Sequence, residues 1–191
     1  VFGLARQEAL GSVAAGVMIL AFRPFVIGDG VNVVSEGVTG TVEEITLRHT
    51  VLRTIENKRV IIPNSTMNTS VVENADYGDK KVCLTMDVGI TYESDLDRAL
   101  AILADEVARH PDYLDRRTEE DKEKGVPLVT LRVNELADSA VVLRALLWGK
   151  DNGTAFAMRA ELLRRIKNRF DAEGIGLAYP HLVVEMTGGK R

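Results

Sequence analysis

Residues 9–25 read ALGSVAAGVMILAFRPF. A run of apolar and small residues from Ala9 to Phe22 stops at Arg23-Pro24, and the turn-prone Gly28-Asp29-Gly30 follows. The spacing predicts one helix from about Phe2 to Phe22, closed by Pro24, because proline disfavours helical geometry at the residue before it. About twenty apolar residues are needed to cross the hydrocarbon core of a bilayer. This run is shorter and is preceded by Arg6 and Glu8. It reads as part of a membrane helix packed in a bundle and attached to a large water-soluble module. Ala5, Ala9, Ser12 and Gly16 fall on one stripe, with Ala15 beside them, and small residues let helix backbones approach closely. Leu10, Val13, Val17 and Leu20 form a bulky stripe on another face.

Composition bounds the rest. A length of 191 residues with 46% hydrophobic content suits one or two compact domains. The formal net charge of −4 argues against a nucleic-acid partner, since phosphate binding needs a basic field. The single Cys83 excludes an intrachain disulfide and an all-cysteine metal site. It falls in a strand-like run and reads as a small buried hydrophobe. No basic n-region or cleavage site marks a removable signal peptide. The chain opens in mid-helix pattern without Met and reads as a fragment of a longer membrane protein.

Two further blocks follow the helix, giving expected boundaries of 1–26, 27–77 and 78–191. The second block has short strands at Val31 to Val34, Val42 to Leu47, Val51 to Thr54 and Val60 to Ile62. Gly37 and Gly40 punctuate one turn, Glu56-Asn57-Lys58 makes a hairpin, and Pro63 ends the last strand. So many strands in so short a stretch imply a small, strongly bent sheet or barrel. The third block alternates at Val82, Leu84, Met86 and Val88. Ser94 can cap a helix with Leu96, Leu100, Leu103 and Val107 inward. A charged connection from Asp115 to Lys124 reads as a solvated loop. Strands at Val129 to Val133 and Val141 to Leu147 come next. A second helix, capped by Asn152 or Thr154, carries Phe156, Leu163, Ile166 and Phe170 and stops at Gly174. A last strand is expected over Leu182 to Met186. The order β-α-β-β-α-β is that of a ferredoxin-like sandwich.

Three motifs in this order resemble the small-conductance mechanosensitive channel (MscS-like) family. They are Phe22-Arg23-Pro24-Phe25 with Gly28-Asp29, then Gly37-Val38-Thr39-Gly40-Thr41-Val42, then Arg53-Thr54 leading to Ile62-Pro63-Asn64. The resemblance runs from about Gly3 to Met186. It implies an α+β chain: the C-terminal part of a pore-lining transmembrane helix, a small Sm-like all-β domain, and a ferredoxin-like α/β vestibule domain. It implies a heptameric homo-oligomer in the cell (inner) membrane, with the β and α/β domains in the cytoplasm and the terminal strand joining its copies in a barrel. Membrane tension would open it to release ions and small osmolytes on hypo-osmotic shock. Leu4 aligns with a constriction residue and Glu8 lies near a hinge position where relatives carry a small residue. Ala5, Ala9, Ser12, Ala15 and Gly16 would pack helices, and Phe22, Arg23 and Phe25 would meet membrane lipids at the interface.

No catalytic constellation appears, and neither a cofactor nor a metal is expected. His49, His110 and His181 lack metal-ligand spacing, His110-Pro111-Asp112 is a chance tripeptide, and Glu43-Glu44 reads as a solvated strand face. Trp148 reads as a packing residue. The alternative reading is a soluble Sm-type RNA-binding ring. It fits the middle block but not the apolar helix, the acidic balance or the lack of a stacking platform.

Overall fold

The computed structural model describes residues 2–180, with side chains from Leu10 onwards. The expected strand at Leu182 to Met186, and the side chains of Leu4, Ala5, Glu8 and Ala9, lie outside the described residues. Two compact units divide between Lys81 and Val82.

The first unit begins with α1 (Phe2–Phe22) and builds one five-stranded sheet from β1 (Gly30–Val33), β2 (Val38–Ile45), β3 (His49–Arg53), β4 (Arg59–Pro63) and β5 (Val72–Asn74). The order is β4-β3-β2-β1-β5, antiparallel at every junction. The β1–β2 turn passes through a short 3-10 helix and ends on Gly37 at φ 62°, a left-handed conformation that suits a residue without Cβ. Asn57, at φ 62°, closes the expected β3–β4 hairpin. Gly40 belongs inside β2, not in the turn, because Thr39 and Gly40 pair with Asn32 and Val31. Beyond Pro63 the chain enters a short helix, α2 (Asn64–Thr69), that the sequence reading lacked. Alternate strand residues point inward, so Val31, Val33, Val42, Leu52 and Ile62 form one core with Ile19, Phe25 and Met67.

The second unit contains β6 (Val82–Ile90), α3 (Leu96–Ala108), α4 (Glu119–Glu123), β7 (Leu131–Ala137), β8 (Ala140–Gly149) and α5 (Asn152–Glu173). The sheet order β6-β8-β7 places β8 between the other two, antiparallel to both. This is the expected β-α-β-β-α sequence for the described part. The helix caps shift by one residue: Asp95 caps α3 and Asp151 caps α5, each accepting from a backbone amide three residues on. The buried face of α5 is Ala155, Met158, Leu162, Ile166 and Phe170, whereas Phe156 and Leu163 are exposed. The charged connection holds α4, nucleated by a capping box between Thr118 and Asp121. Trp148 lies under the Arg116 guanidinium, 4.2 Å from ring centroid to Cζ. His110 is buried with its Nδ1 accepting from the Asp112 amide at 3.2 Å, and Glu43 pairs with Arg53 and Arg59.

Where α3 and α5 meet, Arg165 and Arg169 neutralise the buried Glu106, at 2.8 and 3.0 Å, and Arg169 also holds Asp105 and Glu173. Truncating Phe170 to Ala should cost the second unit about 3–5 kcal/mol in denaturant unfolding, since it empties the centre of the core.

A pH dependence follows from the same contacts. The Arg144 hydrogen bonds hold the Asp87 carboxyl below its ordinary range, and Arg169 does the same for Asp105 and Glu173. A depressed carboxyl adds stability that is present above its unfolded value and lost as pH falls through its folded one. Urea unfolding should therefore show a constant midpoint down to about pH 4, then a steady fall. Asp87→Asn should flatten part of that fall.

Candidate functional site at the seat of the terminal helix

The helix α1 rests on the first unit through its small residues. Ser12, Ala15, Gly16 and Ile19 are buried, and α1 lies against α2. A Cβ on Gly16 would sit 2.2 Å from the Leu47 carbonyl oxygen and 2.6 Å from Asn64 Nδ2, so only glycine permits this approach. The contact is finished by a hydrogen bond of 3.0 Å between the hydroxyls of Ser12 and Ser65.

Asn64 is the polar centre of the seat. It is fully buried, and its Nδ2 donates to the Thr46 carbonyl at 2.8 Å. Its Oδ1 accepts from Thr50 Oγ1 at 2.9 Å, and its backbone amide donates to the Arg48 carbonyl at 2.9 Å. The turn it grips is locked separately by Thr46 Oγ1, which accepts from the amides of Arg48 and His49. One side chain thus ties the β2–β3 turn to the start of α2, and the Leu47 carbonyl between them forms the floor under Gly16.

The bulky stripe faces away: Leu10, Val17 and Leu20 are exposed, as is Met18. At the end of α1, the Arg23 amide donates to Ile19 O at 2.8 Å while Arg23 itself adopts φ 50°. Phe22 is 72% exposed, whereas Phe25 is only 2% exposed. Phe25 is therefore corrected from a lipid-facing residue to a core residue: it packs with Val31, Val33 and Leu52, where its ring escapes water inside the chain. The small face of Ser12, Ala15 and Gly16 packs within the chain, on α2 and the β2–β3 turn. The sequence marks Asn64 as part of the Ile62-Pro63-Asn64 motif but not as a buried hub, and it gives no role to Ser65 or the Leu47 carbonyl. Among the described residues, no group of three or more His, Cys, Asp or Glu could hold a metal, and no helix is long and apolar enough to cross a membrane.

Comparison with known proteins agrees with this arrangement. Residues 8–77 match the family described as mechanosensitive ion channel, beta-domain, and residues 84–177 match mechanosensitive ion channel MscS, C-terminal. The chain belongs to the small-conductance mechanosensitive channel family. It is 34% identical to a small-conductance mechanosensitive channel of Edwardsiella ictaluri, over 96% of this chain and 59% of that protein. It is 32% identical to the channel MscMJ of Methanocaldococcus jannaschii, over 95% of this chain and 49% of that protein. The chain thus spans about half to three-fifths of the length of these relatives. In fold it is similar to the closed-state MscS of Helicobacter pylori, with a TM-score of 0.83 at 22% identity, covering 98% of this chain and 69% of that one. The MscS beta-domain match begins at Glu8 and so takes in most of α1 together with the sheet on which it is seated.

The two helix glycines should respond oppositely to a methyl group. Gly11→Ala meets nothing within 4 Å and should stabilise the first unit by about 0.5–1 kcal/mol through helix propensity. Gly16→Ala should destabilise it by about 1–3 kcal/mol by forcing α1 off the Leu47 carbonyl. Thermal melts of the two variants check the sign.

Proposed function

We propose that this chain is the pore-helix and cytoplasmic part of a channel subunit, opened by membrane tension to pass ions and small osmolytes on hypo-osmotic shock. The observation that carries the reading is the two-faced α1, in a chain whose two units match the two MscS-type family descriptions in order. Its small face is seated on the first unit, and its bulky face is left free for a pore, a neighbour or lipid. In this reading α1 is the C-terminal part of a pore-lining segment in the inner membrane. Leu4 and Glu8 belong to the pore, Phe22 and Arg23 meet the membrane surface, and the five-stranded sheet and the second unit stand in the cytoplasm. The five-stranded sheet serves as the Sm-like domain and the second unit as the ferredoxin-like vestibule domain, and neither is an enzyme.

Tension favours the state of larger in-plane area, so gating is a population shift between two packings of α1. Exposed apolar side chains in a ring can close such a pore by dewetting, without a charged plug. The Sm-type RNA-binding ring finds no support among the relatives, which are channels.

The test is recording from liposomes carrying the full-length protein. Suction should evoke stepwise currents with a reproducible threshold; a silent bilayer with correctly inserted protein would contradict the reading. Light scattering in detergent should give the mass of a heptamer, and a monomer at micromolar concentration would count equally against it.

A further inference from the structure

The link between α1 and the first sheet, residues 23–29, has the composition of a hinge, with Gly28 at φ 100° and Arg23 at φ 50°. Its hydrogen bonding is that of a bracket. Asn74, on β5, donates from Nδ2 to the Pro24 carbonyl at 3.1 Å and to Asp29 Oδ2 at 2.9 Å. The same Asp29 oxygen accepts from the Val26 amide at 2.9 Å. Asn74 Oδ1 accepts from the Asp76 amide at 2.9 Å, and Asp76 Oδ2 accepts from the Gly30 amide at 2.7 Å. The Gly28 amide donates to Val42 O, and the Val42 amide to Asp29 O, both at 2.8 Å. Each conformationally permissive residue is thus flanked by fixed backbone groups.

Packing alone does not hold the link. Leu20, Arg23, Val26 and Ile27 line an open cleft of about 330 Å³, and Phe25 is the one residue of the link anchored in the core. The seat of Gly16 fixes α1 from one side and the Phe25 ring anchors the middle of the link, while the Asn74 contacts and the Gly28–Val42 backbone pair fix its remaining backbone groups.

We propose that Asp29 and Asn74 are positioning residues that make this link a stiff bracket, so that a displacement of α1 is passed to the sheet and not absorbed between them. The proposal rests on the channel reading for its role in gating, and on geometry alone for the stiffness. Removing the Asn74 amide frees Pro24 O and half of the Asp29 contacts without touching the core.

The experiment uses the full-length protein with Cys83→Ser and spin labels at Met18→Cys on α1 and Glu44→Cys on β2, both exposed, with labelled subunits diluted into an excess of unlabelled ones so that an assembly carries one labelled pair. The unsubstituted link should give one narrow distance distribution. Asn74→Ala and Asp29→Ala should each broaden it about twofold, and Asp29→Ala, which removes the acceptor of the Val26 amide, should also raise Val26 amide exchange about tenfold, the loss expected for one hydrogen bond, with β3 amides unchanged. Asp29→Asn keeps an acceptor oxygen and should resemble the parent. In liposomes, Asn74→Ala should raise the tension threshold at unchanged open conductance. Unchanged distributions in both Ala variants, or faster exchange throughout the sheet, would overturn the proposal. An absence of tension-gated current from the unsubstituted protein would instead contradict the channel reading, and the distance distributions would still decide the bracket.

Discussion

The first unit depends on one steric condition, that residue 16 carries no side chain. With glycine there, α1 settles on the Leu47 carbonyl, and the Asn64 amide lies beside it instead of beneath a methyl group. The position of Leu47 is in turn set by Asn64, whose buried amide finds a partner at both ends. Leaving either end unpaired would cost about 1–3 kcal/mol, so the turn, the start of α2 and the helix seat are maintained together. A larger residue at 16 or an apolar one at 64 would disturb all three.

This seat explains how a chain with an apolar helix divides its surfaces. The residues that a packing argument assigns to a neighbouring helix are used at home, and the bulky residues remain outside. The helix is held by the Gly16–Leu47 carbonyl contact, by the Ser12–Ser65 hydroxyl pair and by the burial of Ala15 and Ile19. The second unit is built on another plan. Its large apolar cluster and the arginine-centred ion pairs of α3 and α5 fix one arrangement.

Much of the fold was legible in the sequence because period-two alternation reports burial directly, as in Val82 to Val88 and Val141 to Leu147. The split order of the second unit followed from it. Helix phase was less legible. Phe156 and Leu163 satisfy a helical repeat as well as Met158 and Leu162 do, and only the position of the sheet decides between them. The caps differ by a residue because Ser94, Asp95, Asp151 and Asn152 all carry a side-chain oxygen that can accept from a first turn's amides. At the candidate site the small stripe was visible, but its partner was not. Asn64 and Leu47 come together with Gly16 only through sheet register, so the motif Ile62-Pro63-Asn64 names the residue without naming what it holds. Phe25 was misassigned for a similar reason: an aromatic beside Arg23 at the end of an apolar helix fits an interface and a core equally well, until the Asp29 and Asn74 contacts turn the chain inward.

The small face of α1 is seated on α2 and the β2–β3 turn of its own chain. This placement is tested most directly by cysteines at Ser12 and Ser65, whose hydroxyls lie 3.0 Å apart, in a Cys83→Ser background. Mild oxidation of the full-length protein in membranes should give a near-quantitative disulfide within one chain, identified by mass spectrometry as an intrachain cross-linked peptide pair. No cross-link, or one formed only between chains, would contradict the account.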